Sequence, residues 1–358
     1  MSFQLDSKAP RGLAIVKGVA PILGIKGANA SGKTSLLRAL SFLGAYVPYS
    51  FVTAPDGLIP VSPHFDSDEP CEFYAEFVSD SGIKYIYELV VGTREIEKET
   101  IFRIKNRKMK ILERTRERLT HLPQEFERLS KIKVRKNVSI ISLAHQYEFD
   151  ELDDIYGFFA SFITNVAFSG LMLEPISEQN AAEYLYGNSE ALTFVKSFII
   201  ECDTGVTNIE IIEDEDNGKK TYFPYFLHGG DRGITSHTES SGTRALFRNL
   251  VRYWMALERG SVMIADELDI HLHPHIVPKL LQLFLDPKVN KRGAQLIFTT
   301  HDSGVLDLLG KYRTYLVNKE DNESFGYRLD EISADLVRND RPVSPLYRAG
   351  KIGGVPKL

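Results

Sequence analysis

Gly27-Ala28-Asn29-Ala30-Ser31-Gly32-Lys33-Thr34 decides how this chain is read. The octet fills the pattern G-x-x-x-x-G-K-[ST] at every fixed position. Glycines at both ends let the backbone wrap closely around phosphate oxygens. Successive backbone N–H groups and the start of a following helix then point at negative charge. In this pattern Lys33 reaches the β- and γ-phosphates of ATP, and the Thr34 hydroxyl ligates Mg2+. The flanks supply the setting that the pattern requires. Pro21 to Ile25 reads as a short buried strand, and Ser35 to Leu40 as a helix with one apolar face. A chance match in a glycine-rich loop would lack that strand and that helix.

Three further stretches carry chemistry. In Val262-Met263-Ile264-Ala265-Asp266-Glu267 an apolar run leads straight into two carboxylates. A buried strand delivers both to the C-terminal edge of a sheet, where ligands bind in such folds. Asp266 is read as the Mg2+ carboxylate and Glu267 as the group that orients and polarises the attacking water. A helix cap following a strand is the plainer reading, and the phosphate loop tips the balance against it. Ile297-Phe298-Thr299-Thr300-His301-Asp302 is another buried strand, and it ends in a histidine that could hydrogen-bond the γ-phosphate. A lone histidine after a strand is more often structural; its place one strand after the paired carboxylates favours function. Glu239-Ser240-Ser241-Gly242-Thr243 opens a helix. It reads equally as an anion site or as a plain N-cap, and spacing alone does not choose. The run His271-Leu272-His273-Pro274-His275 is not read as a metal site, because the spacing of His271, His273 and His275 fits no familiar ligand set and Pro274 breaks the helix.

Two apolar strands, each followed by a polar turn, imply a parallel sheet covered by helices, hence an α/β fold with a mainly parallel sheet. A helix is expected from about Thr243 to Glu258 and another around Ile276 to Phe284. Alternating aromatic and β-branched residues from Cys71 to Thr93 read as a β-hairpin around Ser79-Asp80-Ser81-Gly82. A second hairpin is read at Asn208 to Leu227, turning at Asp216-Asn217-Gly218. Mainly helices are expected from Ser139 to Ile200, with apolar residues at three- and four-residue spacing in Tyr156 to Ile163 and Leu192 to Ile200, and the charged stretch from about Glu97 to Lys136 is helix-permitting. The division expected is an ATPase core of residues 1–95 and 201–358, interrupted by a basic, mainly helical insertion at 96–200. The two cysteines, Cys71 and Cys202, lie far apart, which excludes a disulfide framework and suits reduced thiols in a cytoplasmic protein. No apolar run reaches the length of a membrane span, and the N-terminus does not read as a signal peptide.

Taken together, the motifs resemble the ABC-type ATPase superfamily. Within it they look like the soluble, non-transport branch that includes SMC proteins, RecF-like repair proteins and overcoming-lysogenization-defect nucleases. The nearest likeness is to stand-alone AAA-family ATPases of bacterial anti-phage systems. It is carried by the octet from Gly27, by Glu239 to Thr243, by Asp266-Glu267-Leu268-Asp269 with Leu272-His273-Pro274, and by Gln295 to His301. The tail from Tyr347 to Pro356, with Gly350, Gly353 and Gly354, resembles that group too. The resemblance implies an ATP-sandwich dimer or a higher homo-oligomer. Gly27, Asn29, Ala30, Ser31, Gly32, Lys33, Thr34 and Ser35 would line one nucleotide in one copy. Ser240 and Gly242 of the other copy would complete the site in trans. Glu267, His301 and Lys33 would be the catalytic groups, Thr34 and Asp266 the Mg2+ ligands, and Asp269 part of the loop that crosses the interface. The opening strand reads as short or altered, and Gln146, in a helical stretch, is a poor Q-loop glutamine. Relatives with nuclease activity in the same chain carry a large C-terminal nuclease domain. With 57 residues after His301, a nuclease driven by this ATPase is expected on a separate chain.

The net charge is −5, yet residues 103–136 hold thirteen basic and four acidic side chains, a local charge of +9. Such asymmetry suits a nucleic-acid backbone or a phage component, although charge runs are more often solvated faces without a ligand. The function expected is a sensor or regulatory ATPase in anti-phage defence, acting on a separate effector, with nucleic-acid repair or maintenance as the alternative. A transporter nucleotide-binding subunit would need a clearer Q-loop and a glutamine after its signature, where Thr243 follows Gly242. A small-molecule P-loop kinase would not need Glu267, the signature and His301 together, and a scaffold that scarcely hydrolyses ATP would not need both carboxylates.

Overall fold

The octet's strand, Ile22–Gly27, lies at the centre of a six-stranded sheet. The computed structural model describes every residue except 6, 7, 11, 14–17, 217, 231, 271, 334, 335, 340 and 356–358. Asn217, His271 and Pro356, each named above, lie outside the described residues. In spatial order the sheet runs Glu323–Arg328, Thr314–Glu320, Ile22–Gly27, Gln295–Thr299, Val262–Ala265 and Ile163–Thr164. All neighbours are parallel except the edge hairpin Thr314–Arg328. The fold is therefore mixed α/β with a mainly parallel sheet, as read from the sequence. Near-continuous apolar runs make its central strands, as burial on both faces demands. Among the described residues before the first strand, Gln4 and Val19 form an isolated antiparallel bridge.

The chain divides into two compact units. One comprises residues 1–34, 163–165 and 171–358; the other comprises 35–162 and 166–170. In the first unit, helix Ser241–Arg259 starts at the Ser240 cap, whose side chain accepts from Thr243 N, and stops at Gly260 in the left-handed region. Its apolar face, with Leu246, Leu250 and Val251, packs in one core with Met263, Leu296 and Phe298 of the sheet. That packing fixes the strand Val262–Ala265, and through it the two carboxylates that follow. A three-stranded antiparallel sheet, Asn208–Asp216, Lys219–Leu227 and Gly233–Thr235, contains the second expected hairpin.

The second unit corrects the sequence reading. Residues 97–136 are not mainly helical. Ile96–Ile104, Lys108–Thr115 and Arg118–His121 extend the hairpin Cys71–Val78 and Lys84–Val91 into a five-stranded antiparallel sheet, and Gln124–Lys131 forms a 3-10 helix. Several charges that looked helix-permitting are paired on the sheet: Lys108 with Glu88 and Lys98 with Glu113 across strands, and Lys110 with Glu113 within one strand. Interleaved Ile96, Ile101, Ile111 and Leu112 point into the core. The helices expected after 139 do form, as Ile140–Gln146, Asp153–Ala160, Glu178–Tyr186 and Ser189–Glu201, with Ile163 lying in a strand instead. The division expected at residues 95 and 200 is likewise displaced. The first hairpin belongs to the second unit, and the last two of these helices belong to the first.

The basic segment is also less uniform than its charge suggests. Arg114 is fully buried, with Nε 2.9 Å from Glu99 Oε2, itself fully buried. Glu99 also accepts from Tyr87 Oη, Ser139 Oγ and Ile140 N. Arg114 Nη1 donates to Arg135 O, and Arg135 in turn donates to Phe51 O. Arg114 and Arg135 are therefore structural. Lys105, Arg107, Arg118, Lys131 and Lys133 remain exposed.

Candidate nucleotide site

The phosphate loop joins Ile22–Gly27 to helix Lys33–Tyr49. Two of its glycines have no room for a side chain. At Gly27 a Cβ would lie 2.5 Å from Ser31 Oγ and from Val317 O. Gly32 sits at φ +101°, and a Cβ there would meet Ser324 Oγ at 2.5 Å. Ala30 adopts φ 60°, so the loop coils through the left-handed region twice. Lys33 Nζ donates to Gly27 O and Ala28 O, each at 2.9 Å. Burial pulls this ammonium below its ordinary range, while Asp266 and Glu267 pull it back. Ser31 Oγ is buried without a hydrogen-bond partner among the described residues. A coiled loop with a half-buried ammonium and an unsatisfied hydroxyl fits a polyphosphate.

The carboxylates sit where the sheet delivers them. Asp266, 3% exposed, accepts from Thr34 Oγ1 at 2.7 Å through one oxygen and from Thr299 Oγ1 at 2.6 Å through the other. Its backbone is held by Asn165, whose Oδ1 accepts from Asp266 N at 2.7 Å while its Nδ2 donates to Asp266 O at 2.9 Å. Thr34 and Asp266 thus offer one hydroxyl and one carboxylate oxygen side by side. That set suits Mg2+, which takes few protein oxygens and keeps waters and phosphate oxygens for the rest.

Glu267 has φ 48°, and its N–H donates to Thr299 Oγ1 at 2.7 Å. A non-glycine residue in the left-handed region is uncommon, and such strain clusters at functional sites. His301 Nε2 lies 3.6 Å from Glu267 Oε1. The His301 N–H donates to the Asp269 carboxylate at 3.1 Å. Thr34, Asp266, Glu267 and His301 are therefore linked through hydrogen bonds and close contacts within one unit, and the charge of Lys33 is felt by both carboxylates.

The signature residues behave differently. Ser240 Oγ accepts from Thr243 N at 3.1 Å and lies 2.8 Å from Thr243 Oγ1, so the N-cap reading holds in the single chain. Ser240 N donates to Glu239, which also meets His228 Nε2 at 2.7 Å. Ser240 is exposed at the start of its helix, where an anion could still approach.

Thr299, Asn165 and Lys26 escaped the sequence reading. Thr299 lay inside a quoted motif, and Lys26 was a charge within an apolar strand, so both left a signal. Asn165 left none, because its strand is only Ile163–Thr164. The glycine-rich tail also takes a place: Tyr347 Oη donates to Gly354 O, Gly354 N donates to Asn318, and a Cβ on Gly354 would stand 3.8 Å from Gly27 Cα.

The profile of a family described as "AAA domain, putative AbiEii toxin, Type IV TA system" matches residues 22–307, from the phosphate-loop strand past His301. The chain belongs to this family. As an AAA-domain protein with an intact phosphate loop, it stands among P-loop ATPases, as its motifs led one to expect. No curated protein matches it. Among solved structures it is similar to an SMC head bound to the C-winged helix domain of ScpA, at 13% identity and TM-score 0.44, covering 87% of this chain and 92% of that one. The SMC head domain from Thermotoga maritima is 14% identical with TM-score 0.41, over 85% and 89% of the two chains. An SMC head with an extended coiled coil, bound to the C-terminal domain of ScpA and derived from Pyrococcus furiosus, is 11% identical with TM-score 0.39, over 87% and 91%. Among the described residues of this AAA-domain protein, no helix is long and apolar enough to cross a membrane.

Proposed function

We propose that this protein binds ATP with Mg2+ and hydrolyses it, and that two copies close around two nucleotides to do so. One observation carries the reading. Hydroxyls from the phosphate loop and from the neighbouring strand converge on Asp266, and Glu267 follows it in a strained turn beside His301. Thr34 and Asp266 would hold Mg2+, which neutralises charge on the transferring phosphoryl group. Lys33 would exchange the carbonyls of Gly27 and Ala28 for β- and γ-phosphate oxygens. Glu267 would orient the attacking water, and His301 would hydrogen-bond the γ-phosphate. Ser240 and Gly242 of one copy would meet the nucleotide of the other, using the helix N-terminus at Ser241.

The family description names a toxin of a type IV toxin–antitoxin system, and the motifs resemble those of anti-phage ATPases. Both support a regulatory ATPase whose output is a separately encoded effector, a nuclease in our reading, in bacterial defence and in the cytoplasm. The exposed lysines and arginines of residues 105–133 are the surface left for nucleic acid or a phage component.

Phosphate release from ATP tests the central activity. Wild type should release phosphate only with a divalent cation. Glu267→Gln, Asp266→Asn and Lys33→Ala should fall to background, the first while still binding nucleotide. A wild type that releases no phosphate contradicts the reading.

A further inference from the structure

Lys26 is a buried cation inside the central strand, one residue before the phosphate loop, and 5% exposed. A lysine there, among the fully buried Ile22, Leu23 and Ile25, costs stability unless its charge is used. Its Nζ donates to Thr300 O at 2.9 Å. Thr300 O and the His301 N–H belong to one peptide group, and in a trans peptide they point to opposite sides. The opposite side is held by Asp269, whose carboxylate accepts from His301 N at 3.1 and 3.3 Å. One peptide is thus clamped between a cation from the phosphate-loop strand and an anion from the loop after the paired carboxylates. The side chain that this peptide carries next is His301, 3.6 Å from Glu267.

We propose that Lys26 is a positioning residue for hydrolysis: it fixes the Thr300–His301 peptide against Asp269 and so keeps His301 at Glu267. The inference rests on the ATPase reading above. It gives the phosphate-loop strand a hold on His301 through the Thr300–His301 peptide that none of the recognised motifs supplies.

The charges facing Lys26 come from three segments: Asp269 after one strand, Asp302 after the next, and Lys33 at the start of the helix. The ring of Tyr347 lies 5.7 Å away. Burial outweighs the two carboxylates and brings the Lys26 ammonium down to about 8, with Lys33 adding to the fall. The clamp therefore loses its positive half as the pH rises through that value.

The test is a double-mutant cycle on the full chain: wild type, Lys26→Met, His301→Ala and the pair, with kcat and KM for Mg-ATP measured from pH 6.5 to 9.5. Lys26→Met should lower kcat about tenfold at pH 7 and change KM less than about threefold, as loss of positioning without loss of binding requires. It should also flatten the alkaline fall of kcat near pH 8. The pair should match His301→Ala within about twofold, because both changes disable one device. Binding of a fluorescent ATP analogue checks that each variant is folded. Should Lys26→Met fail to bind it, Lys26→Gln, which keeps a donor for Thr300 O, takes its place and should give a smaller drop in kcat with the same KM.

A variant with wild-type kcat overturns the inference, as does a rise in KM at unchanged kcat, or losses that multiply in the pair. A merely structural Lys26 would shift the melting temperature and leave the pH profile and the cycle alone. A wild type that turns over no ATP overturns the functional reading itself, and this inference with it.

Discussion

Thr299 holds both carboxylate residues through one oxygen. Its hydroxyl donates to Asp266 Oδ1 at 2.6 Å and accepts from Glu267 N at 2.7 Å. A single side chain at the end of one strand thereby sets the carboxylate of Asp266 and the strained turn at Glu267. Thr299→Val keeps the shape and removes the oxygen. It should lower kcat about 10- to 100-fold, the usual cost of losing a group that orients a metal ligand, which is the role proposed for Asp266. Thr299→Ser should retain most of the activity. Steady-state phosphate release from the two variants checks this, and equal activity would show that Asp266 and Glu267 are held without Thr299.

The pair Arg114–Glu99 is a fully buried ion pair between two neighbouring strands of the five-stranded sheet. Arg114→Ala leaves Glu99 buried beside Tyr87 and Ser139 with no cation, and should destabilise by about 3–5 kcal/mol. Arg114→Met with Glu99→Leu should recover much of that loss. Denaturant midpoints at unchanged slope read out both variants. A shift below about 1 kcal/mol for Arg114→Ala would mean the pair is not structural.

The surface proposed for nucleic acid is made of the exposed cations. Replacing Lys105, Arg107 and Arg118 by Ala should weaken binding of double-stranded DNA and flatten its dependence on salt by roughly three phosphate contacts. Filter binding across a salt series measures both. Unchanged binding assigns these residues to a solvated face.

Stability should depend on pH through Lys26. Its folded value of about 8 lies below the ordinary 10.5, so the unfolded chain binds more protons between the two. Stability contributed by this group therefore rises as pH increases through that window. Relative to wild type, Lys26→Met should be favoured most at pH 7 and lose that advantage by pH 10. Thermal melting of both proteins at the two pH values gives the difference, and a constant gap would place the Lys26 ammonium in its ordinary range.

Much of this was legible in the sequence because the core strands are short, apolar and end in chemistry. Ile22–Gly27, Val262–Ala265 and Gln295–Thr299 form where the apolar runs lie, and the polar residues after them converge. What escaped was pairing between distant segments. Residues 97–121 looked helix-permitting because their partners, Glu88 and the strand Lys84–Val91, lie in an earlier hairpin. Asn165 left no signal because its role is fixed by the backbone of Asp266, about a hundred residues away in sequence. Ser240 was ambiguous between cap and anion site: in the single chain it caps its helix and stays exposed, and the anion role is the proposed one.

The most direct test of the central claim is the light-scattering mass of Glu267→Gln with and without Mg-ATP. That change should preserve binding and block hydrolysis, and so trap the closed state. A mass that doubles only when Mg-ATP is present is the predicted result, and Ser240→Arg should abolish the doubling. A mass that is the same with and without nucleotide would contradict an ATP-driven sandwich of two copies.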